Sequence, residues 1–365
     1  MDRALDEGLE ESGPGARADD DTLIRTLLAD LGASDVEVEF ALGSGKTDSL
    51  AGDLVLRRGA SLTGRQVAEQ SDLPVDQVVA MFRDLGIVVL DLDTAQFTDA
   101  DVMLAQRLGH AHVVGVVRGE DLLRVVAGAV ERIAEAAVAV YVQGAEEDLR
   151  RTWADPLTCL RSNIEATELA VDLGRGLAPV FRHHMRQAIN RQRVTQEGVT
   201  RRELARIAVG FVDLVGSTEL QAGLDPTALG EQVNRFESRA FEVITAGGGR
   251  LVKFIGDEIM MAAVDPVAGC RIVSDLVDAF VDDGTQPRAG LVFGEVLFRH
   301  GDYYGPVVNR AARLVDAAIP GEVLVDGTVV DAVDDTRMAF EPAGRRMLRG
   351  FADPVAVWSL ARAGA

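Results

Sequence analysis

The chain has 365 residues, more than the ~100–200 of one domain, and its 47% hydrophobic content is enough for two cores. A net charge of −21 argues against nucleic acid as a partner, because neutralising phosphates takes clustered Lys and Arg. Cys159 and Cys270 are far apart and lack ligand spacing, which argues against a disulfide framework or zinc site and fits a reducing cytoplasm.

Residues 1–21 hold Asp2, Asp6, Glu7, Glu10, Glu11, Asp19, Asp20 and Asp21 around Gly13-Pro14-Gly15, a composition that predicts a disordered acidic tail. They contain no apolar stretch, so no signal peptide is expected. Residues 22–195 read as a mainly α-helical domain. Thr22 can cap a helix over Leu23–Leu31 that Gly32 stops. Gly43-Ser44-Gly45-Lys46-Thr47 looks like the end of a P-loop, but Phe40 stands where that pattern needs glycine, so a flexible turn is expected. Residues 61–85 read as two helices around Leu73-Pro74, closed by Gly86, a helix–turn–helix pattern shared with DNA readers. The basic residues there are few (Arg57, Arg58, Arg65, Arg83), so a plain helical hairpin is the favoured reading. Helices follow over Gly119–Val142, Leu160–Val171 and Leu177–Arg193, the last carrying His183 and His184. The apolar region His112–Val142 is broken by seven charged residues, whereas a spanning helix needs ~20 mostly apolar ones. It reads as an amphipathic helix pair, and no membrane span is expected.

Apolar periodicity lapses near residues 196–204, and a second domain is expected over 203–365. Ile207–Val212 is a buried strand candidate, followed by a helix over Thr227–Ala246. Arg250–Ile255 and Ile259–Ala263 form a hairpin about Gly256-Asp257. A helix over Pro266–Val281 leads to paired strands Arg288–Phe293 and Glu295–Arg299 around Gly294. A helix over Val307–Ala317 and a strand over Glu322–Val325 follow. The order βαββαβ is the ferredoxin-like split unit, so the fold class is α+β behind a helical domain.

Three segments of this half carry chemistry: Phe211-Val-Asp213-Leu-Val-Gly216-Ser217-Thr218, Val252-Lys253-Phe-Ile-Gly256-Asp257-Glu258, and Gly301-Asp302-Tyr-Tyr-Gly305-Pro-Val-Val-Asn309-Arg-Ala-Ala-Arg313. The first two place an aspartate at a glycine-containing turn, and two such carboxylates can hold divalent ions against a triphosphate. Asn309 and Arg313 are four apart, so on a helix they share one face. Gly216 lets backbone N–H groups approach phosphate oxygens, an anion cradle without a Walker lysine.

The set, in this order and spacing, resembles the catalytic domain of class III nucleotidyl cyclases over roughly residues 203–360. The resemblance implies ATP as substrate, cyclic AMP and pyrophosphate as products, and two ions, Mg²⁺ or Mn²⁺, held by Asp213 and Asp257. Lys253 and Asp302 match the family's base-selecting pair, the lysine donating to adenine N1 and the aspartate accepting from the 6-amino group. Asn309 and Arg313 match the pair that orients the ribose and stabilises the pentavalent phosphorus. Gly216, Ser217 and Thr218 fall at the phosphates, and Arg349 at the terminal phosphates by a looser match. Phe254 and Ser217 depart from the commonest residues without removing a needed group. The complete set occurs once, so the resemblance implies a homodimer with two composite sites.

The layout of the first half resembles bacterial adenylyl cyclases whose helical N-terminal domain inhibits catalysis and responds to pH. Histidine changes charge between about pH 5 and 8, which makes His183, His184 and His300 the candidate sensors. An apolar ligand such as a fatty acid is compatible with the helical half, although no residue pattern marks a site for one. Two alternatives belong to other classes: a degenerate nucleotide-sensing module, which a missing metal aspartate or arginine would favour, and a DNA-binding regulator using residues 61–85.

Overall fold

The structure is a computed structural model that describes residues 14–89, 91–113, 120–152, 154–195, 204–216, 223–281, 285–336 and 338–361. Packing divides the chain into two units, Met1–Arg182 and His183–Ala365.

The first unit is helical. Its elements are α1 (Pro14–Asp30), α2 (Asp35–Ser44), α3 (Thr47–Leu56), β1 (Leu62–Thr63), α4 (Gly64–Ser71), α5 (Val75–Asp84), β2 (Ala95–Phe97), α6 (Asp99–Val113), α7 (Glu120–Tyr141) and α8 (Glu147–Arg151). The tail expected to be disordered over residues 1–21 is helical from Pro14, and Thr22 lies inside α1 rather than at its start. Residues 1–13 are outside the described set. The segment that mimics a P-loop is a tight helix junction: α2 ends at Ser44, Gly45 takes a left-handed conformation, and α3 starts at Thr47.

Local chemistry sets the helix starts. Ser34 and Glu37 form a capping box on α2, and Thr63 and Gln66 form one on α4. Ser34 and then Arg57 hold the Glu37 carboxyl down to about 2. The helix–turn–helix pair exists as α4 and α5, packed with Phe97 and Val102 in one small core. A two-stranded β1–β2 ladder that the sequence reading lacked closes this unit. Arg57, Arg58 and Arg65 pair with Glu37, Glu168 and Asp93, so three of the four arginines that a DNA reader would use already face carboxylates.

The two helices expected between Leu160 and Arg193 are one, α9 (Pro156–Thr195), 40 residues long. Asp155 caps it through the Thr158 N–H and hydroxyl, and Leu160 anchors it among Ile24, Leu28 and Leu54. Gly174, Gly176 and the interior Pro179 lower helix propensity without ending the helix. The packing division at Arg182 falls within α9; the boundary expected at 196–204 lies outside the described residues except for Leu204. Among the described residues no helix is long and apolar enough to cross a membrane.

The second unit holds β3 (Leu204–Val215), α10 (Pro226–Ala246), β4 (Arg250–Ile255), β5 (Glu258–Ala263), α11 (Pro266–Val281), β6 (Gln286–Arg299), β7 (Asp302–Tyr304), α12 (Pro306–Ala317), β8 (Val323–Asp326), α13 (Gly327–Ala332), β9 (Ala339–Arg346) and β10 (Val355–Ala361). Its sheet runs β4-β5-β3-β6-β8-β10-β9, with β7 on β6. The first four strands have the spatial order of the ferredoxin-like unit, every neighbour antiparallel. β3 is central and buried on both faces, so its sequence is a continuous apolar run.

The paired strands expected around Gly294 are one 14-residue strand, β6, which runs along β3 from Gln286 to Leu297. Gly294 marks close packing instead of a turn: a Cβ there would lie 2.9 Å from a Val307 methyl. Gly290 is tighter still, its Cβ position falling 2.5 Å from the Val315 nitrogen and 2.7 Å from the Ala311 oxygen. α12 thus lies almost backbone-on-backbone against β6. It covers one face of the sheet, where Ala311, Leu314 and Val315 meet Val209, Phe211, Met260 and Val292. α10 and α11 cover the other with Ala240, Ile244, Ile272, Leu276 and Phe280.

Candidate active site

Strand alternation sorts the candidate residues by face. On β3, Val209 and Phe211 point to the α12 face, so Asp213 does too. Asp213 pairs in register with Glu258 on β5 and Arg288 on β6, which places all three in one row across that face. Lys253 joins them through an irregularity in β4: Leu251 pairs with Met261 but Lys253 with Met260, so a bulge resets the alternation.

Asp213 accepts two hydrogen bonds from Arg288, from Nε at 2.9 Å and from a terminal nitrogen at 2.6 Å. Arg288 also donates to the Asp316 and Ala318 carbonyls at the end of α12. One arginine therefore ties the candidate metal carboxylate to the helix bearing Asn309 and Arg313. Burial first, then Asp213, Asp316 and Asp257, push the Glu258 carboxyl up to about 7, while Arg288 pulls it down. This corner carries more negative charge than its arginine offsets.

Asp257 sits in the two-residue loop between β4 and β5, where Ile255 pairs with Glu258. Gly256 has φ +64°, and a glycine first in such a loop matches the twist of the strands without strain. Gly216 ends β3 at φ +90°; Ser217 and Thr218 lie outside the described residues.

Lys253 and Asp302 meet. Nζ donates to Asp302 Oδ2 at 2.5 Å, while Oδ1 accepts from the Tyr303 N–H at 2.8 Å. They are 49 positions apart, and the β6–β7 hairpin brings them together. Its two-residue turn, His300-Gly301, has φ +55° and +79°. His300 is thus a turn residue in a conformation histidine tolerates better than most side chains. His183 and His184 are exposed on α9.

On α12, Asn309 is exposed and Arg313 donates to Asp316 at 3.0 Å, so the two do share an accessible side of the helix. Their neighbour Arg310 points elsewhere, to the buried Asp326 at 2.8 Å and over the Phe351 ring. Arg349 is exposed in the turn after β9, which the buried Leu348 anchors.

Sequence reasoning passed over Arg288, Glu258 and Arg250. The available signal was a charged residue within an otherwise apolar strand, which for Arg288 lies among Ala289, Leu291 and Val292. The carboxylate donors Asp213 and Asp257 suit hard divalent cations; burial first, and then Asp213, Asp316 and Asp257, raise Glu258, and a cation would offset the carboxylate part. Among the described residues no group of three or more His, Cys, Asp or Glu converges as a metal cage. Mg²⁺ is ordinarily held by one or two carboxylates plus substrate phosphates, which fits this donor set.

No protein-family model matches the chain. It is similar to an uncharacterised protein of Mycobacterium tuberculosis, 34% identical over 92% of this chain and 89% of that one. An adenylate cyclase of Glutamicibacter nicotianae is 34% identical over 79% of this chain and 76% of its own length. A pH-sensitive adenylate cyclase of Mycobacterium tuberculosis is 27% identical over 99% of this chain and 92% of its own length. Since the cyclase from Glutamicibacter aligns well beyond the ferredoxin-like unit, the likeness extends past the shared motifs, and the chain belongs to the adenylate cyclase family.

Proposed function

We propose that the protein converts ATP to 3′,5′-cyclic AMP and pyrophosphate at composite sites in a homodimer. The observation that carries the choice of ATP is the Lys253–Asp302 pair on the sheet face that also bears Asp213. A lysine can donate to adenine N1 while the aspartate accepts from the 6-amino group. Asn309 would hold the ribose, and Arg313 would neutralise charge growing on the α-phosphoryl oxygens. Gly216, with Ser217 and Thr218, would take the phosphates, and Arg349 their terminal group. Asp213 and Asp257 would hold two divalent ions, Mg²⁺ or Mn²⁺, which when bound supply Lewis acidity toward phosphoryl oxygens. With ATP as substrate, the compartment is the cytoplasm.

Turnover of ATP and GTP by the purified protein with Mn²⁺ tests this reading. Cyclic AMP should form with a clear preference over cyclic GMP, and equal turnover of the two nucleotides would sink the substrate assignment.

Regulation by the helical half is part of the proposal, supported by the likeness of nearly the whole chain to a pH-sensitive cyclase. His183 and His184 are exposed on α9 and His300 lies in the turn before Asp302; histidine is the side chain suited to a pH switch in this range. Replacing all three by Gln should flatten the activity profile between about pH 5 and 8. An unchanged profile removes these histidines from any switch.

A further inference from the structure

Adenine and guanine present the same kinds of group at neighbouring ring positions, in inverted order. Adenine has a donor at its 6-position and an acceptor at N1; guanine has an acceptor and a donor. A lysine and an aspartate tell them apart only if each is confined to its own side. Lys253 is confined by its place in β4. Asp302 opens β7, a strand of three residues just past a two-residue turn, and a hairpin tip of this kind swings unless something holds it.

We propose that Arg250 is the specificity-determining positioning residue that confines Asp302, an inference that rests on the reading of Lys253–Asp302 as the base-selecting pair. Arg250 donates to the Gly301 carbonyl at 2.5 Å and to the Tyr303 hydroxyl at 3.2 Å, the residues immediately before and after Asp302. Its guanidinium also lies over the Tyr303 ring, 5.4 Å from the centroid, and over Phe298 at 5.8 Å. Tyr303 is buried in the core beneath α12, so the clamp closes on a fixed point. The bulge between Leu251 and Lys253 lets the clamp and the reader work together. Arg250 pairs with Ala262 and Lys253 with Met260, two residues of one face, although the cations themselves are three apart. One strand thus holds the Gly301 carbonyl before Asp302 and the Tyr303 side chain after it, and also supplies the charge partner of Asp302. A lysine at position 250 could reach one acceptor but could not fork across both or stack.

The test measures kcat/KM for ATP and GTP in full-length wild type, Arg250→Met, Arg250→Lys, Tyr303→Phe, the Arg250→Met/Tyr303→Phe double variant and Asp302→Ala. Loss of two bonds from a charged donor should lower the ATP-to-GTP ratio about tenfold in Arg250→Met. Arg250→Lys should restore part of it. Tyr303→Phe should lower the ratio by a smaller factor, and adding it to Arg250→Met should change nothing further, because the bond is already gone. A role confined to stability would lower the melting temperature and leave the ratio alone. If Asp302→Ala loses discrimination while Arg250→Met and Tyr303→Phe keep it, the clamp is overturned and base selection stands. If Asp302→Ala also keeps it, base selection itself fails and takes the clamp with it. Should Arg250→Met not fold, Arg250→Lys and Tyr303→Phe decide: an unchanged ratio in both overturns the inference.

Discussion

Asp213 sits between opposed influences. Glu258 faces it in register, and after burial the Asp213 charge is what pushes the Glu258 carboxyl up most, while Arg288 binds Asp213 with two hydrogen bonds. Removing the carboxylate relieves the repulsion with Glu258 but takes from a partly buried guanidinium its charged acceptor, leaving it the Asp316 and Ala318 carbonyls. Sequence alone suggests only the relief, and so an inactive but unharmed Asp213→Ala protein. With Arg288 in view, Asp213→Ala should lose activity by roughly two orders of magnitude or more. It should also lose about 1 kcal/mol of stability, small because both side chains keep some water contact. Denaturant unfolding beside a cyclase assay would check both numbers. Unchanged turnover would remove Asp213 from the metal site, and unchanged stability would mean that Arg288 finds another partner.

At the scale of elements, the contact between α12 and β6 fixes where each chain presents Asn309 and Arg313. Asn309 and Arg313 ride on a helix held against the sheet at Gly290 and tied by Arg288 to Asp213. Gly290→Ala would push a methyl into α12 backbone, which cannot rotate away, and should cost about 2–3 kcal/mol. Gly294→Ala meets only a Val307 methyl, which can turn aside, and should cost about 1 kcal/mol or less. Thermal denaturation of the two variants would show the difference, and equal losses would mean that α12 moves freely over β6. Because Gly290→Ala displaces α12, its kcat should fall more than its KM for ATP rises.

For the whole molecule, each chain carries one complete set of candidate residues, and the dimer proposal divides that set between partners. Asp213→Ala and Arg313→Ala proteins, each inactive alone, should regain activity when mixed, because one of the two sites in a mixed dimer would be intact. With random exchange, half the dimers are mixed and each holds one good site, so about a quarter of wild-type activity is expected. Demonstrated subunit exchange with no recovery would place both residues in a site made by one chain.

Local signals carried much of the molecule. Residues Thr227–Ala246 and Pro266–Val281 show helical periodicity between breakers, and the βαββαβ order follows from the alternation of patterns. The three motifs marked Asp213, Asp257, Lys253, Asp302, Asn309 and Arg313 because those side chains suit phosphate, base and metal chemistry. Other features depend on distant partners. Gly294 looks like a turn until Val307 stands beside it, and α9 looks like two helices because the glycines at 174 and 176 lower propensity that the rest of the helix makes up. Arg288 and Arg250 looked like ordinary strand charges. Their partners lie 75 positions away at Asp213 and 51 at Gly301, distances along the chain that no local pattern spans. Residue type and spacing determined which groups could do the chemistry; strand register, a bulge and a hairpin decided which of them share a face, because only folding brings such distant backbone into contact.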